Sequence, residues 1–446
     1  MDDPARLPRR RFLTSSGLVL GTAAVAAGCD PEPSAQPRHT TPATAPTLRS
    51  GDWNSVRAQF DLDPSLSHFS AFVLAPHPAA VRAAIATHRR GLDHDPAGYL
   101  RANEDRLEEE VRAAAADYLG AAKDEIALTD STTMGLGLLY GGIRMREGQE
   151  ILTTQHDFYA THEALRLRAE RTGATVRRIA LYRQIDSVTE DEILDSIRTS
   201  IRPQTRVLAV TWVHSGTGLK LPIRRIADLV AEQNRDREQA DQILLCVDGV
   251  HGVGALDEGV RDLGCDFLVS GCHKWLFGPR GTGFVWGARS AWDQVVATIP
   301  TFDGRSIGAW INNASPRTPP GPAMTPGGFH AFEHRWALSE AFGFQSTLGR
   351  MLVAQRVSTL ASQLNDGLAT IGHVRLITPR ADGLFAGLIC FDVEGHRPSK
   401  VVRHLFEQRV AATITPYAQQ HVRLGASIVT SPEDVERALR AVRSLA

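Results

Sequence analysis

The sequence predicts an α/β protein whose larger domain is a mostly parallel, mixed sheet sandwiched by helices, followed by a smaller C-terminal α/β domain. The runs TRVLAVTWV (205–213) and QILLCVDGV (242–250) are nearly all apolar and of strand length, as in strands buried on both faces. Residues 223–240 between them have helical periodicity and a charged outer face. This alternation predicts parallel strands joined by helices.

The remaining elements follow from the same patterns, and no internal repeat is evident. Before residue 330, the sequence predicts an amphipathic helix at 104–120, a helix start within 127–143, a strand at EILTT (150–154) and two further strands at 265–272 and 281–288. After residue 330, it predicts a long helix over about 332–372, a strand at 383–393, a helix at 397–409, a short run at 410–417 and a terminal helix at 431–445. The large domain is therefore placed at 51–330 and the small domain at 331–446.

Residues 1–29 have the pattern of a twin-arginine export signal. Arg9 and Arg10 precede Phe12-Leu13 and a weakly apolar, Gly/Ala-rich run that is too short to span a membrane. VAAGC makes Cys29 a candidate lipidated residue, and the Pro-rich segment 30–50 has the composition of a linker. We therefore expect a protein exported through the Tat translocon to the periplasm, with a lipid anchor at Cys29 as an open alternative.

Composition limits the classes of function. The 446 residues carry a formal net charge of −1, and no basic stripe suggests a nucleic-acid surface. None of Cys246, Cys265, Cys272 and Cys390 forms a CxxC pair, and their apolar contexts indicate buried free thiols, although an oxidising compartment leaves a disulfide open.

A lysine and an acid stand at the predicted carboxyl ends of two strands. GCHKW places Lys274 after one strand, and CVDG places Asp248 at the end of the other. Ligands of open α/β sheets bind at such strand ends. An acid alone is more often a turn residue, but with a nearby lysine it fits a pyridine cofactor, which needs a covalent amine and a protonated ring nitrogen.

Two other segments fit the same cofactor. Ser131, Thr132 and Thr133 open a Gly-rich helix, whose N-terminus suits a phosphate. Phe158, after the EILTT strand, offers a face for stacking. The neighbouring His156, Asp157 and His162 lack the spacing of a metal motif, so we predict no metal site.

The combination of Asp248-Gly-Val-His251, Ser270-Gly-Cys-His273-Lys274 and GPRGTG (278–283) resembles the class V aminotransferase family of fold-type-I pyridoxal-phosphate enzymes. The resemblance extends from about residue 65 onward and is greatest to the isopenicillin-N-epimerase-like subgroup. The segments 325–344 and 413–429 are further similar to exported members that tailor the siderophore pyoverdine.

The resemblance implies pyridoxal 5′-phosphate and a role for each matching residue. Lys274 forms the Schiff base, Asp248 pairs with the ring nitrogen, and His251 lies near the phenolic oxygen. Phe158 stacks on the ring, while Arg423 grips a substrate carboxylate. The phosphate positions are matched by three residues, Thr132, Thr133 and His273. The family also implies a homodimer.

Three departures from the family pattern affect these expectations. The loop AATITPYAQQH (411–421) has no cysteine where desulfurases have their catalytic one, which argues against persulfide chemistry. Gly271 replaces a frequent phosphate-binding serine, for which Ser270 is the substitute candidate. Gly328-Phe329 replaces a Gly-Thr pair that reaches across the dimer, so the partner's phosphate contact is in doubt.

The expected function is aminotransferase-type chemistry at an amino group beside a carboxylate, in an exported enzyme that tailors a secreted peptide or siderophore-like metabolite. Epimerisation or elimination on free amino acids is one alternative, because these reactions share the first step. A lipid-anchored binding protein with a non-catalytic pyridoxal site is the alternative from another class.

Overall fold

The computed structural model describes residues 47–445. The twin-arginine segment, Cys29 and nearly all of the predicted linker lie outside the described residues. The strands of residues 47–445 are β1 (Ser67–His68), β2 (Ile126–Thr129), β3 (Glu150–Thr154), β4 (Thr175–Ile179), β5 (Thr205–Thr211), β6 (Leu244–Asp248), β7 (Phe267–Gly271), β8 (Gly283–Gly287), β9 (Val374–Leu376), β10 (Leu388–Val393), β11 (Val410–Ala411), β12 (Thr413–Ile414) and β13 (Val422–Gly425).

Residues 47–445 form sixteen α-helices, several of which begin at a capping side chain or a proline. They are α1 (Trp53–Arg57), α2 (Ala79–His94), α3 (Pro96–Leu119), α4 (Thr132–Gly142), α5 (Tyr159–Thr172), α6 (Glu190–Ser200), α7 (Ile223–Gln233), α8 (Val260–Leu263), α9 (Arg289–Trp292), α10 (Gly304–Ile311), α11 (Pro320–Met324), α12 (Phe332–Trp336), α13 (Leu338–Leu348), α14 (Arg350–Ala369), α15 (Pro398–Glu407) and α16 (Pro432–Arg443).

A seven-stranded sheet forms the centre of the molecule. Its order is β2-β8-β7-β6-β5-β3-β4, and β8 runs antiparallel to both of its neighbours, whereas the other pairs are parallel. Both apolar runs noted in the sequence lie in its middle as β5 and β6. The prediction of an α/β fold with a mostly parallel mixed sheet is confirmed.

Helices cover both faces of this sheet, which explains why its strands read as continuous apolar runs. On β5, Leu208 and Val210 pack into a core formed with α3, α6, α7 and α13. Val207 and Ala209 face the other way, into a core formed with α4, α5 and α9. The carboxyl ends of the parallel strands lie together at one end of this sheet, where open α/β sheets bind ligands.

A smaller, antiparallel sheet lies in the C-terminal part, in the order β12-β13-β10-β9. Helices α14, α15 and α16 pack on it around Leu364, Leu405 and Leu439. The N-terminal segment joins this part of the molecule, since β1 pairs in parallel with β11. Residues of α1 also share a core with β10.

The long helix predicted over 332–372 is wrong in its continuity. The segment forms three helices, α12, α13 and α14, because Gly349 lies between the last two with a φ of +84°. Helices α12 and α13 pack against α2 and α3 beside the large sheet. The domain boundary at 330/331 stays a prediction.

The described cysteines are free and buried, as predicted: Cys246, Cys265, Cys272 and Cys390. Among residues 47–445, no helix combines the length and apolar character needed to cross a bilayer.

Candidate active site

The carboxyl end of the large sheet holds three residues predicted to act together: Lys274 follows β7, Asp248 ends β6 and Phe158 follows β3. Ser215, which was not predicted, follows β5 at the same end. These side chains and Arg423, from β13 of the smaller sheet, line one cavity of about 160 Å³. The two sheets therefore contribute to the same site.

Lys274 is an amine prepared for covalent chemistry. Burial lowers its pKa from 10.5 to about 8, against the opposing effect of Asp248. Its Nζ lies 3.4 Å from Nε2 of His251, and it makes no direct ion pair with a carboxylate of the described residues. A lysine with a lowered pKa is neutral, and hence nucleophilic, in a larger fraction of molecules near neutral pH.

Asp248 lines the same cavity as the lysine, on the neighbouring strand. Burial raises the pKa of its carboxyl to about 6, while the Val250 N–H, which donates to Oδ1 at 3.1 Å, and Lys274 both lower it. The Asp248 carboxyl is therefore poorly solvated. A cation beside it would hold it in the charged form.

His251 is held in one orientation by Trp275, whose indole N–H donates to Nδ1 at 3.1 Å. With Nδ1 accepting, the proton of a neutral ring is on Nε2, the atom that faces Lys274. Burial and the neighbouring Lys274 keep the pKa of His251 well below 6.5. The imidazole is thus a neutral hydrogen-bond donor toward the cavity.

The N-terminus of α4 forms an anion-binding cradle with β7. Ser131 caps the helix by accepting from the Met134 N–H, and the N–H groups of Thr132 and Thr133 lie in the turn whose donors have no partner within the helix. The Thr132 hydroxyl accepts from the Gly271 N–H at 2.7 Å and keeps its own hydrogen for another acceptor. Thr132 is buried, whereas Thr133 is exposed.

Gly271 leaves room in this cradle. A Cβ at residue 271 would lie 3.0 Å from both the Thr132 hydroxyl and the His273 ring. Burial lowers the pKa of His273 to about 4, so the ring is neutral at neutral pH and donates from one nitrogen.

Ser270 is not brought to the cradle, which corrects its assignment as a phosphate ligand. Its hydroxyl donates to the Gly271 carbonyl, and Ser270 is fully buried. Side chains alternate along a strand. Val269 contacts the α4 side, so Ser270 points to the opposite face of β7.

Arg423 is the cation of the smaller sheet. Its guanidinium donates to the Ser215 carbonyl at 3.2 Å and to the Thr413 hydroxyl at 3.1 Å, and it lies 4.9 Å from the centre of the Phe72 ring. The residue is 7% exposed, and burial lowers its pKa. Among the described residues it has no carboxylate partner, so a buried, charged guanidinium faces the cavity with donors to spare.

Phe158 lines the cavity on the β3 side. The nearby histidines are occupied elsewhere: His156 stacks on Tyr182, and Nε2 of His162 is 2.7 Å from the Thr154 carbonyl. Within residues 47–445, no group of three or more His, Cys, Asp or Glu side chains is arranged to hold a metal ion.

Sequence reasoning missed several residues in or beside the site, among them Phe72, Thr211, Ser215 and Tyr417. Thr211 and Ser215 lie where the 205–213 run leads into the turn HSGTG, and a turn at a strand's carboxyl end was the available signal. Tyr417 lies in the loop before Arg423, whose sequence was informative only in its lack of a cysteine. Phe72 comes from an N-terminal segment with no pattern that indicates a site.

The residues present fit pyridoxal phosphate. The cavity offers an amine of lowered pKa, a buried carboxyl, an aromatic face and a helix N-terminus whose cradle a Cβ at residue 271 would fill. The buried Thr211 hydroxyl has no hydrogen-bond partner among the described residues, as expected of a group that contacts a bound molecule.

Both the sequence and the fold are similar to those of known proteins. The sequence profile of the family Aminotransferase class-V matches residues 80–437. The isopenicillin N epimerase of Amycolatopsis lactamdurans is 25% identical over 403 residues, covering 88% of this chain and 98% of the epimerase. A probable cysteine desulfurase of Xylella fastidiosa (strain Temecula1) is 30% identical over 382 residues, covering 80% of this chain and 84% of the desulfurase.

Solved structures share the fold. A mutant of the lyase C-DES, with glycine covalently linked to its PLP cofactor, superimposes with a TM-score of 0.78 at 21% identity, over 87% of this chain and 98% of the lyase. A cysteine desulfurase of Escherichia coli superimposes with a TM-score of 0.73 at 20% identity, over 88% and 98% of the two chains.

Proposed function

The chain belongs to the class V aminotransferase family of pyridoxal-phosphate enzymes, and from that premise we propose that it acts on the amino group beside a carboxylate. The observation that supports this substrate class is Arg423. A buried guanidinium without a carboxylate partner among the described residues shares the cavity with Lys274 and Asp248, and it suits bidentate binding of a carboxylate.

The bound cofactor supplies a pyridinium ring that withdraws the electron pair left when a proton leaves the substrate carbon. The chain's own residues provide the rest. Asp248 holds the proton at the ring nitrogen, and the first turn of α4 with His273 binds the phosphate. His251 donates from Nε2 toward the cavity, and Arg423 fixes the substrate by its carboxylate. Lys274, once free, takes and returns the proton of the substrate carbon.

Transfer of the amino group is the first candidate outcome, because the family profile is that of aminotransferases. Inversion at the carbon is the second candidate. It is favoured by the 25% identity to isopenicillin N epimerase, which extends along 98% of that enzyme. Both reactions begin with loss of the same proton.

Persulfide chemistry is not proposed, although several relatives carry the name cysteine desulfurase. A sulfur nucleophile must be an accessible thiolate. The four described cysteines are buried, and burial raises the pKa of each thiol. The loop before Arg423 has Tyr417 and no cysteine.

We further propose that the enzyme is exported and acts on the amino-acid part of a secreted peptide or siderophore-like metabolite. Arg9-Arg10 and the run that follows support export, and a substrate completed outside the cytoplasm would give export a purpose. Replacing both arginines with lysine should retain the protein in the cytoplasm, as cell fractionation would detect. Deleting the gene should change a secreted compound in mass spectra; if none changes while free amino acids react well, this substrate class is wrong.

The proposed carboxylate recognition is tested by comparing amino acids with the corresponding amines that lack a carboxylate. Holoenzyme should be yellow, should retain cofactor on Lys274 after borohydride reduction, and should respond spectrally to amino acids in preference to the amines. Arg423→Ala should abolish that preference. Arg375 is an exposed arginine on β9 that pairs with Asp392. The variant Arg375→Ala is the matched control and should retain the preference for amino acids.

Two results would contradict the proposal. A colourless protein that takes up no pyridoxal phosphate would leave a binding protein as the better interpretation. An Arg423→Ala enzyme that still prefers amino acids would show that another group binds the substrate carboxylate.

A further inference from the structure

Tyr417 is a hydroxyl-bearing side chain that packs against two residues lining the active-site cavity, Ser215 and Phe158. Its Oη lies 2.6 Å from the Ser215 Oγ, and its ring meets Phe158 edge to face at a centroid distance of 6.1 Å. Ser215, Phe158 and the adjacent Pro416 all line the cavity that contains Lys274. A Cβ at residue 216 would be 3.1 Å from the ring, so the tyrosine approaches Ser215 past a glycine.

The order of the strands places Lys274 and the residues that Tyr417 contacts toward opposite sides of this cavity. Lys274 follows β7, whereas the contacts of Tyr417 are with residues after β5 and β3. Neighbouring strands lie about 4.8 Å apart, so β7 and β3, three strands apart, are separated by roughly 14 Å. Asp248, on β6, lies between them.

Ser215 connects the tyrosine to the carboxylate-binding residue. Its hydroxyl bonds to Tyr417, and its carbonyl accepts from Arg423 at 3.2 Å. A substrate held by Arg423 is therefore presented beside the phenol. Burial raises the pKa of Tyr417 to about 12, so the phenol keeps its proton at neutral pH and is a donor.

We propose that Tyr417, positioned by Ser215, is a catalytic acid that delivers a proton to the substrate carbon from the side opposite Lys274. This inference rests on the proposed function and selects inversion among its outcomes. The Lys274 amine takes the proton of the substrate carbon and becomes an ammonium. The Tyr417 O–H bond breaks and a new C–H bond forms on the other side. The phenolate accepts a bond from Ser215 and regains a proton from water, and the ammonium returns its proton to water.

The test follows exchange of the α-proton in deuterium oxide with the holoenzyme, using the L and D forms of alanine, glutamate and phenylalanine as probes. The parent enzyme should exchange both enantiomers of at least one probe. Tyr417→Phe should lower the exchange of one enantiomer by about 100-fold or more, the usual size of a general-acid effect, and leave the other within a few-fold. Tyr159→Phe, an exposed tyrosine beside Phe158, is the matched control and should change neither.

A readout independent of turnover separates chemistry from structure. Thermal unfolding of the cofactor-free protein, and cofactor retention on Lys274 after borohydride, should be the same for Tyr417→Phe and the parent. Equal loss of both exchanges would make Tyr417 structural and overturn the inference. Unchanged exchange in Tyr417→Phe, or exchange of a single enantiomer by the parent, would overturn it while leaving the proposed function standing. A parent that exchanges no probe in either form would count against the proposed function and the inference together.

Discussion

At the scale of single residues, the environment of Lys274 predicts how its reactivity depends on pH. Only the neutral amine attacks a carbonyl, and burial lowers the pKa of the lysine to about 8 from 10.5. In cofactor-free protein, the rate of covalent cofactor attachment should rise roughly tenfold per pH unit up to about pH 8 and then level off. Borohydride trapping at a series of pH values measures that rate. A rise that continued to about pH 10 would show that the amine has an ordinary pKa.

Asp248 gives a prediction with two parts. Asp248→Asn should lower turnover by about 100-fold or more, since an amide cannot hold the ring nitrogen protonated by charge. In cofactor-free protein, where stability is measured instead of turnover, the same substitution should be favourable. The native pKa, raised from 3.8 to about 6, means that the folded state binds the proton more tightly than the unfolded state, so stability is lost as pH rises through that window.

Two measurements check this pair of effects. Steady-state turnover tests the first, and thermal unfolding of both cofactor-free proteins between about pH 4 and about pH 7 tests the second. The asparagine variant should lack the decline that the carboxyl causes in the parent. Turnover within a few-fold of the parent would mean that a different group holds the proton.

At the scale of elements, two glycines near the start of α4 and within it test the anion-binding cradle. Gly271→Ala should weaken cofactor binding by about tenfold, about 1.4 kcal/mol, because the new methyl group crowds Thr132 and His273. Gly137→Ala is the matched control within α4 itself, since a Cβ there meets nothing within 4 Å. It should leave binding unchanged and stabilise the helix by about 0.5–1 kcal/mol. Absorbance titration with cofactor measures the first effect, and thermal unfolding measures the second. Equal cofactor affinity in both variants would show that residue 271 does not border the phosphate site.

The elements also show how far the sequence could be read. Strands β5 to β8 were predictable because strands buried on both faces contain little but apolar residues, and Lys274 and Asp248 because their positions at strand ends suit one chemistry. Ser215 and Tyr417 were not predictable, since they come from turns of two different sheets. Only the tertiary fold brings them into contact. Ser270 was misplaced because adjacency in sequence to Gly271 means opposite faces of a strand.

At the scale of the whole molecule, exposed apolar side chains are concentrated in one stretch. Phe302, Ile307, Trp310, Ile311 and Phe329 are all exposed, with Trp310 at 79% and Phe329 at 83%. Large apolar patches of this kind mark protein–protein contacts. Gly328-Phe329, which match the pair that reaches across the dimer in the family, lie in the same stretch, so we expect this surface to be the contact with a second copy of the chain.

Trp310→Glu should convert a dimer into a monomer, because a buried charge in the contact has no partner. Phe406→Glu changes an aromatic residue of α15 that is 57% exposed outside this surface, and should leave the dimer intact. Light scattering distinguishes the two. A parent protein that is monomeric and fully active at working concentration would contradict the expected dimer.

The pairing of β1 with β11 has a consequence for the order in which the protein can be made. Ser67–His68 emerges from the ribosome long before its partner, Val410–Ala411. Phe72, shortly after β1, stacks under Arg423, which is likewise synthesised much later. Contacts between such distant parts of a chain form slowly. The substrate cleft therefore cannot close before Arg423 has been synthesised, and a nascent chain stalled before residue 410 should remain open to protease at its N-terminal segment even if its central sheet has already formed.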